Sequence, residues 1–447
     1  MKESAVGSRR SAVAKAQRPF GWRIYCRLPT ADRRLPLANP SQWETSMTAA
    51  PHLVEYTQDA PSGDLAVMLT GGGARAAYQV GLLKGLATHF PDLKIRIITG
   101  ASAGAINAAF IASHQGTLLE KAQQLEKVWC ELGCDSIYQF DWKVFLPFRA
   151  ALASLLPKKS RFTRSRAHAL VDTWPLRQLL CRILDTRCGG AAIDGIARNI
   201  ESGDLTALAL MTLDYSTGQT VRWIQGRSFD TYQGPNHRTA RTQFTVEHVL
   251  ASAALPFVFP AVRIGNAFHG DGGIRMAAPL SPAVQLGAHR IIAMSTGYLR
   301  GPEEASHQVV TGYPPAAQIL SQLVNAIFLD GIEEDVARME RMNDLLRKMA
   351  PHERDGLKPI DLLVLRPSVD LGKLSGDYER LLPRKVKLLV RAMGVKETES
   401  PDFISLLMFE PEFTERIIKL GEHDVASRLP EIRAFLGETP AHLVAAS

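Results

Sequence analysis

Residues 64–113 read DLAVMLTGGGARAAYQVGLLKGLATHFPDLKIRIITGASAGAINAAFIAS, and one arrangement occurs in them twice. Leu65-Ala66-Val67-Met68-Leu69 is an almost wholly apolar run that stops at Thr70-Gly71-Gly72-Gly73. Ile95-Arg96-Ile97-Ile98 stops in the same way at Thr99-Gly100. A short apolar run bounded by turn residues predicts a strand buried on both faces. Each run leads into a helical pattern, from Ala74 to about His89 before Pro91, and from Ala103 to Ser113. Strand–turn–helix twice over predicts a parallel sheet with helical crossovers, an α/β fold.

Outward from this stretch, residues 115–205 read as helical with no clear strand. Strands resume at 208–213 and 220–224, and the turn residues Asp214-Tyr215-Ser216-Thr217-Gly218 between them predict a hairpin. Short strands are expected at 262–264, 267–269, 290–294 and 360–365, and a long amphipathic helix at about 315–349. The organisation expected is a basic, disordered segment over 1–60, a catalytic domain over 61–300 and a mostly helical region over 301–447 packed on it.

With 447 residues the chain is long enough for a large core. Its net charge is +7, but nine Lys/Arg against Glu3, Asp32 and Glu44 put +6 of that in residues 1–50. The body is electrically balanced, which excludes a general polyanion role, so no nucleic-acid partner is expected. The leader, broken by Pro19, Pro29, Pro36 and Pro40, lacks the apolar segment of a secretory signal. It reads as a disordered tail or as an extension upstream of Met47, with an organelle-targeting peptide as a third reading. Five cysteines do not make a disulfide framework, and free thiols with a reducing compartment are expected. No apolar run approaches the roughly 20 residues that span a bilayer. The expected location is cytoplasmic, with or without peripheral membrane contact.

Three motifs carry chemistry. Gly100-Ala101-Ser102-Ala103-Gly104 is a G-x-S-x-G at a strand-to-helix turn, which lifts the Ser102 hydroxyl into the open at the strand's carboxyl end. The helix that follows begins at Ala103 and offers backbone N–H groups at its positive end, suited to a developing oxyanion. Gly71-Gly72-Gly73-Ala74-Arg75 lies at the other such turn, where residues without side chains let N–H groups face an anion or a polarised carbonyl. It is neither a dinucleotide fingerprint, since the last glycine is replaced by Ala76, nor a P-loop, since Gly-Lys-Ser/Thr is missing. An oxyanion hole from Gly71, Gly72, Gly73 and Ala103 uses both motifs at once. The third motif, His269-Gly270-Asp271-Gly272-Gly273, presents a carboxylate on a closely approached turn. Alone it is an ordinary turn; beside a serine elbow that needs a base, Asp271 is the leading candidate.

The three motifs in this order resemble the patatin-like phospholipase family: the Gly-Gly-Gly-x-Arg loop, Gly-x-Ser-x-Gly, then Asp-Gly-Gly. Ala251-Ser252-Ala253-Ala254-Leu255-Pro256-Phe257-Val258-Phe259-Pro260 is similar to the family's segment upstream of the Asp. Pro279-Leu280-Ser281-Pro282-Ala283, leading to Leu286-Gly287-Ala288, is similar to the one downstream. The likeness covers about residues 64–300. It implies a three-layer α/β/α fold, a Ser102–Asp271 dyad without histidine, and hydrolysis of fatty acyl esters of lipids with no metal or other cofactor. Gly100, Gly104, Gly272 and Gly273 would support the turns, and Arg75 would steady its loop in preference to meeting a lipid phosphate. One position departs: the family's loop usually continues with Gly after the Arg, and here Ala76 follows.

His269, two residues before Asp271, leaves a Ser-His-Asp triad open on first principles. Positions two apart in a strand point the same way about 6.5 Å apart, so His269 is expected to flank Asp271 without bridging it to Ser102. Other serine esterases, thioesterases and acyltransferases share the acyl-enzyme, and a silent lipid-binding protein would share the fold. A cap insertion is read at about 137–170, with peripheral membrane contact through 143–168. There Val144, Phe145, Leu146, Phe148, Leu152, Leu155 and Leu156 accompany seven basic residues, and Asp and Glu are absent from 142 to 171. The competing reading is a helical hairpin packed on the domain, which Pro147 and Pro157 favour.

Overall fold

The two apolar runs form the centre of a sheet because neither has a polar face to give to water. The computed structural model of the chain describes residues 64–140, 171–256, 258–306, 331–384 and 402–437, with single positions between 319 and 327 and at 386–387. β1 (Asp64–Leu69) passes through the glycine turn and a 3-10 turn (Gly73–Ala76) into α1 (Ala77–His89), and β2 (Ile97–Gly100) turns into α2 (Ala103–Ser113). α3 (Leu118–Cys130) and the single turn α4 (Cys134–Ile137) precede a two-residue pairing of β3 (Gln139–Phe140) with β4 (Val171–Asp172). α5 (Trp174–Ile183) and α6 (Asp194–Ser202) lead to β5 (Ala207–Asp214), β6 (Thr220–Gly226) and β7 (His237–Arg241). After α7 (Val246–Ser252) come β8 (Val262–Ile264), β9 (Ala267–Asp271), α8 (Ser281–Gln285), β10 (Ala288–Met294) and α9 (Pro302–Ser306). The C-terminal part holds α10 (Gly331–Lys348), β11 (Asp361–Leu365), α11 (Leu371–Gly376), α12 (Asp402–Leu407), α13 (Pro411–Ser427) and α14 (Leu429–Leu436).

The strand order is β11-β10-β1-β2-β5-β6-β7, and β11 to β5 run parallel. Alternation along β1 builds two cores. Leu65, Val67 and Leu69 join Ile98, Leu208, Leu210 and Ile292 beneath α1, α2, α3 and α13. Ala66 and Met68 join Ile97, Ala207, Ala209 and Ala293 beneath α8 and α10. The fold is a three-layer α/β/α sandwich with a mostly parallel sheet and a helical C-terminal region. β1 sits between β2, reached next in sequence, and β10, reached last but one. That reversal of strand order is where open α/β sheets bind ligands, outside the strands' carboxyl ends.

β5 and β6 form the expected antiparallel pair. Three features depart from the sequence reading or were not read in it. β7 is an edge strand, His237-Arg238-Thr239-Ala240-Arg241, whose half-exposed, charged sequence carries no apolar alternation. β3 and β4 are too short to leave a periodic signal. Cys130 and Cys134 are free thiols, but Cys181 and Cys188 are disulfide-bonded, with Cα atoms 5.6 Å apart. The turn after α5 folds the chain back on itself, and a bonded pair removes the ground for reading a reducing compartment from composition. Among the described residues no helix is long and apolar enough to cross a membrane. The cap and membrane-contact segment at 143–168 and the leader at 1–60 lie outside the described residues.

Candidate active site

Register brings the serine and the aspartate together. β6 occupies one edge of β5 along its length, and β2 occupies the other as far as Gly100 opposite Leu210. Beyond that point the chain leaves the sheet at Ser102, whose φ of 56° lies in the left-handed region, and starts α2. The vacated lane beside β5 is filled by β9, which pairs Asp271 with Thr212. Asp271 therefore stands at the head of β2, beside the elbow that Ser102 makes. The strained turn is tight because Gly104 lies against the end of β1: a Cβ there would meet the carbonyl oxygens of Leu69 and Thr70 at 2.4 Å. Two further hydrogen bonds tie the pair down, from the Ser102 amide to Ser252 Oγ (3.2 Å) and from the Asp271 amide to the Ala254 carbonyl (3.1 Å).

Asp271 is fully buried, and burial pushes its carboxyl up to about 7. The Ser102 hydroxyl and the Gly273 amide pull the other way, each favouring the charged form. Oδ1 accepts from the Gly273 amide at 2.8 Å, while Oδ2 has no closed hydrogen bond among the described residues. A carboxylate with one lone-pair set free, its pKa near neutral and a serine hydroxyl beside it has the properties of a general base.

His269 shares a strand face with Asp271 but sits one pleat farther out, opposite Asp214. Its Nδ1 lies 3.0 Å from Thr212 Oγ1, which also accepts from Trp223 Nε1 at 2.8 Å. Burial lowers its pKa and favours the neutral ring. Ser102 is not among its hydrogen-bond partners.

The glycine turn approaches the elbow from the β1 side. Gly72 and Gly73 have φ of 147° and 55°, conformations that side chains rarely adopt. A Cβ on Gly72 would collide with Thr296 Oγ1 at 2.3 Å, and one on Gly73 with the Leu406 carbonyl at 2.2 Å. Thr296 Oγ1 donates to the Gly71 carbonyl (2.5 Å), and Gln79 Nε2 donates to the Thr70 carbonyl (2.9 Å). Among the described residues the amides of Gly71, Gly72, Gly73 and Ala103 have no hydrogen-bond acceptor. Arg75 points away, buried in an ion pair with Asp402 (2.6 Å), and its Nε donates to Ser405 Oγ. Ala76 lies in the 3-10 turn at φ −64°, so the methyl group at the position where the family usually has glycine is accommodated.

Gly72, Gly73, Ser102 and Ala103 form the polar end of a narrow cleft. The remaining walls are apolar, with Leu125 and Trp129 from α3, Leu176 and Leu179 from α5, and Leu406 and Phe409 around the end of α12. Apolar walls leading to a polar end are chemically suited to a hydrocarbon chain with a polar head.

Residues 67–284 match the family described as patatin-like phospholipase. Over those residues the chain is similar to patatin-like phospholipases. No curated protein gives a significant sequence match. Solved structures similar to this chain include VipD from Legionella pneumophila (14% identity, 83% of this chain and 67% of that one, TM-score 0.37). Human GIVD cytosolic phospholipase A2 is another (11% identity, 84% and 61%, TM-score 0.40). ExoU from the type III secretion system of Pseudomonas aeruginosa, in complex with SpcU, is a third (16% identity, 86% and 83%, TM-score 0.25). The chain spans about three-fifths of the length of the human enzyme.

The fold brings Ser102, Asp271, Gly72, Gly73 and Ala103 to one place, with Gly71 in the same turn and Gly100, Gly104, Gly272 and Gly273 in the turns that carry them. It does not bring Arg75 there. Sequence reasoning missed Thr296, Gln79, Asp402, Ser405, Leu406 and Phe409, four of which lie outside the region of motif likeness. Nothing in their local sequence separates them from ordinary core residues. Among the described residues no group of His, Cys, Asp and Glu is placed to hold a metal ion.

Proposed function

We propose that this protein is a serine-dependent hydrolase of long-chain fatty acyl esters, acting through an acyl-enzyme on a Ser102–Asp271 dyad. The observation that carries the reading is a buried serine–carboxylate pair at the polar end of an otherwise apolar cleft. Ser102 Oγ attacks the ester carbonyl carbon as its proton passes to Asp271 Oδ2. The negative charge that develops on the carbonyl oxygen is met by the unpaired amides of Ala103 and the Gly71–Gly73 turn, at the positive end of α2. Collapse breaks the ester bond, and the leaving alcohol takes the proton from Asp271. Water then attacks the acyl carbon, Asp271 accepts its proton, and Ser102 recovers that proton as the fatty acid leaves.

The test is a panel of phospholipids, lysophospholipids, acylglycerols and p-nitrophenyl esters of graded chain length, with and without an acceptor alcohol, beside Ser102→Ala. Ser102→Ala is expected to lose all hydrolysis and all covalent labelling by fluorophosphonates while remaining folded. Labelling that persists in a folded Ser102→Ala protein removes the assignment. Acyl transfer to the added alcohol outrunning hydrolysis would make the protein an acyltransferase.

A further inference from the structure

The segment Ser252-Ala253-Ala254 touches both members of the dyad. Ser252 ends α7, is wholly buried, and its hydroxyl oxygen accepts the Ser102 amide at 3.2 Å. Two residues later the Ala254 carbonyl accepts the Asp271 amide at 3.1 Å. Ser102 is the N-cap of α2, so no helical carbonyl is available to its own amide, and its backbone holds a φ of 56°. A strained conformation of this kind persists only where surrounding contacts over-determine it. The Asp271 contact is a backbone one and survives most substitutions; the Ser102 contact depends on a single hydroxyl. Because that hydroxyl occupies the Ser102 amide, the oxyanion donors are left to Ala103 and the glycine turn.

We propose that Ser252 is a positioning residue of the dyad. Its hydroxyl fixes the nucleophile's amide while Ala254 fixes the base's amide, so one rigid segment sets the spacing between Ser102 Oγ and Asp271 Oδ2. The proposal rests on the dyad reading given above. Ser252 does not line the cleft and touches no substrate, so its loss changes the chemical step and leaves chain binding intact.

The experiment uses the full chain with Ser252→Ala, Ser252→Cys and Ser252→Thr, and measures three things. These are steady-state hydrolysis of a p-nitrophenyl ester, the rate and final stoichiometry of fluorophosphonate labelling, and the acid limb of kcat/KM. Ser252→Ala is expected to label to the wild-type endpoint but about 10- to 100-fold more slowly, with kcat falling in parallel and KM within about twofold. The Ser102 hydroxyl favours ionised Asp271, so a loosened pair also moves the acid limb to higher pH. Ser252→Thr keeps the acceptor and recovers most of the labelling rate. If Ser252→Ala fails to fold, Ser252→Cys carries the test, since it preserves the volume and replaces a good acceptor by a poor one. Wild-type rates and an unmoved acid limb in a folded Ala or Cys variant overturn the proposal. A wild-type protein that no fluorophosphonate labels overturns the dyad reading itself, and this proposal with it.

Discussion

The two turns of this domain follow neighbouring parallel strands and open neighbouring helices, yet they work in opposite ways. At the elbow after β2 the strain falls on Ser102, a residue with a side chain, and its effect is to push that side chain out. In the turn after β1 the strain falls on Gly72 and Gly73, and its effect is to bare the backbone. They are also held differently. The elbow is fixed by groups of the motif-bearing region, Gly104 and Ser252. The glycine turn is held by Gln79 and Thr296 of that same region and also from the far end of the chain, by the Leu406 carbonyl and, through Arg75, by Asp402 and Ser405. Both turns depend on partners distant in sequence, but only the glycine turn draws on the C-terminal helical region.

Substitutions that strike one turn and spare the other break this comparison. The largest effect is expected from Asp271→Asn, which leaves both turns in place and removes the base. Turnover should fall by about three orders of magnitude or more, measured per folded molecule. The same carboxyl predicts the pH dependence. Its folded pKa is near 7 and above the ordinary carboxylate value, so the folded state holds the extra proton between about pH 4 and 7. Its contribution to stability is therefore lost as pH rises through that window, while activity, which needs the ionised form, rises with a midpoint near 7. Asp271→Asn should accordingly melt a few degrees above wild type at about pH 8. An inactive variant that melts lower would separate the burial of Asp271 from its chemistry.

Next in size is Gly73→Ala, which strikes only the glycine turn. A methyl group at φ 55° has to displace the Leu406 carbonyl, so the unpaired amides move. Hydrolysis is expected to drop by about 10²- to 10³-fold, the scale of a lost oxyanion donor, with the elbow still reactive toward a small fluorophosphonate. Asp402→Ala acts one step farther away. It leaves Arg75 buried without its counter-charge and should destabilise the fold by roughly 3–5 kcal/mol in urea unfolding. Its kcat should fall less than that of Gly73→Ala. The smallest effect belongs to His269→Ala, which touches Thr212 and neither turn; less than about a tenfold loss of kcat is expected. A loss equal to that of Asp271→Asn would put a histidine triad in place of the dyad.

The sequence was most readable where a residue type is dictated by geometry. Leu65 to Leu69 has to be a buried strand because it offers water nothing, and Gly72 and Gly73 leave no room for a side chain. The same holds for Ser102 and Asp271, which the turn motifs present one residue at a time. Leu406 and Phe409 were invisible for the converse reason: a residue lining an apolar cleft and a residue filling a core have the same composition. Thr296 and Gln79 act through single hydrogen bonds to backbone carbonyls and leave no periodic trace. β7 was missed because its pairing with β6 is made by backbone groups alone, under side chains typical of a surface loop. Cys181 and Cys188 were read by number and compartment, whereas their bond depends on how the turn after α5 closes.

The contact between Leu406 and Gly73 has a bearing on the protein's biosynthesis. A chain leaves the ribosome N-terminus first and folds in that order. Ser102, Asp271 and the glycine turn are all made more than a hundred residues before Asp402. Until α12 arrives the glycine turn lacks its brace, Arg75 lacks its counter-charge and the apolar cleft lacks a wall. A nascent chain thus holds Ser102 and Asp271 before the cleft around them is complete. Synthesis interrupted short of α12 would leave a fragment without that brace, that counter-charge and that wall.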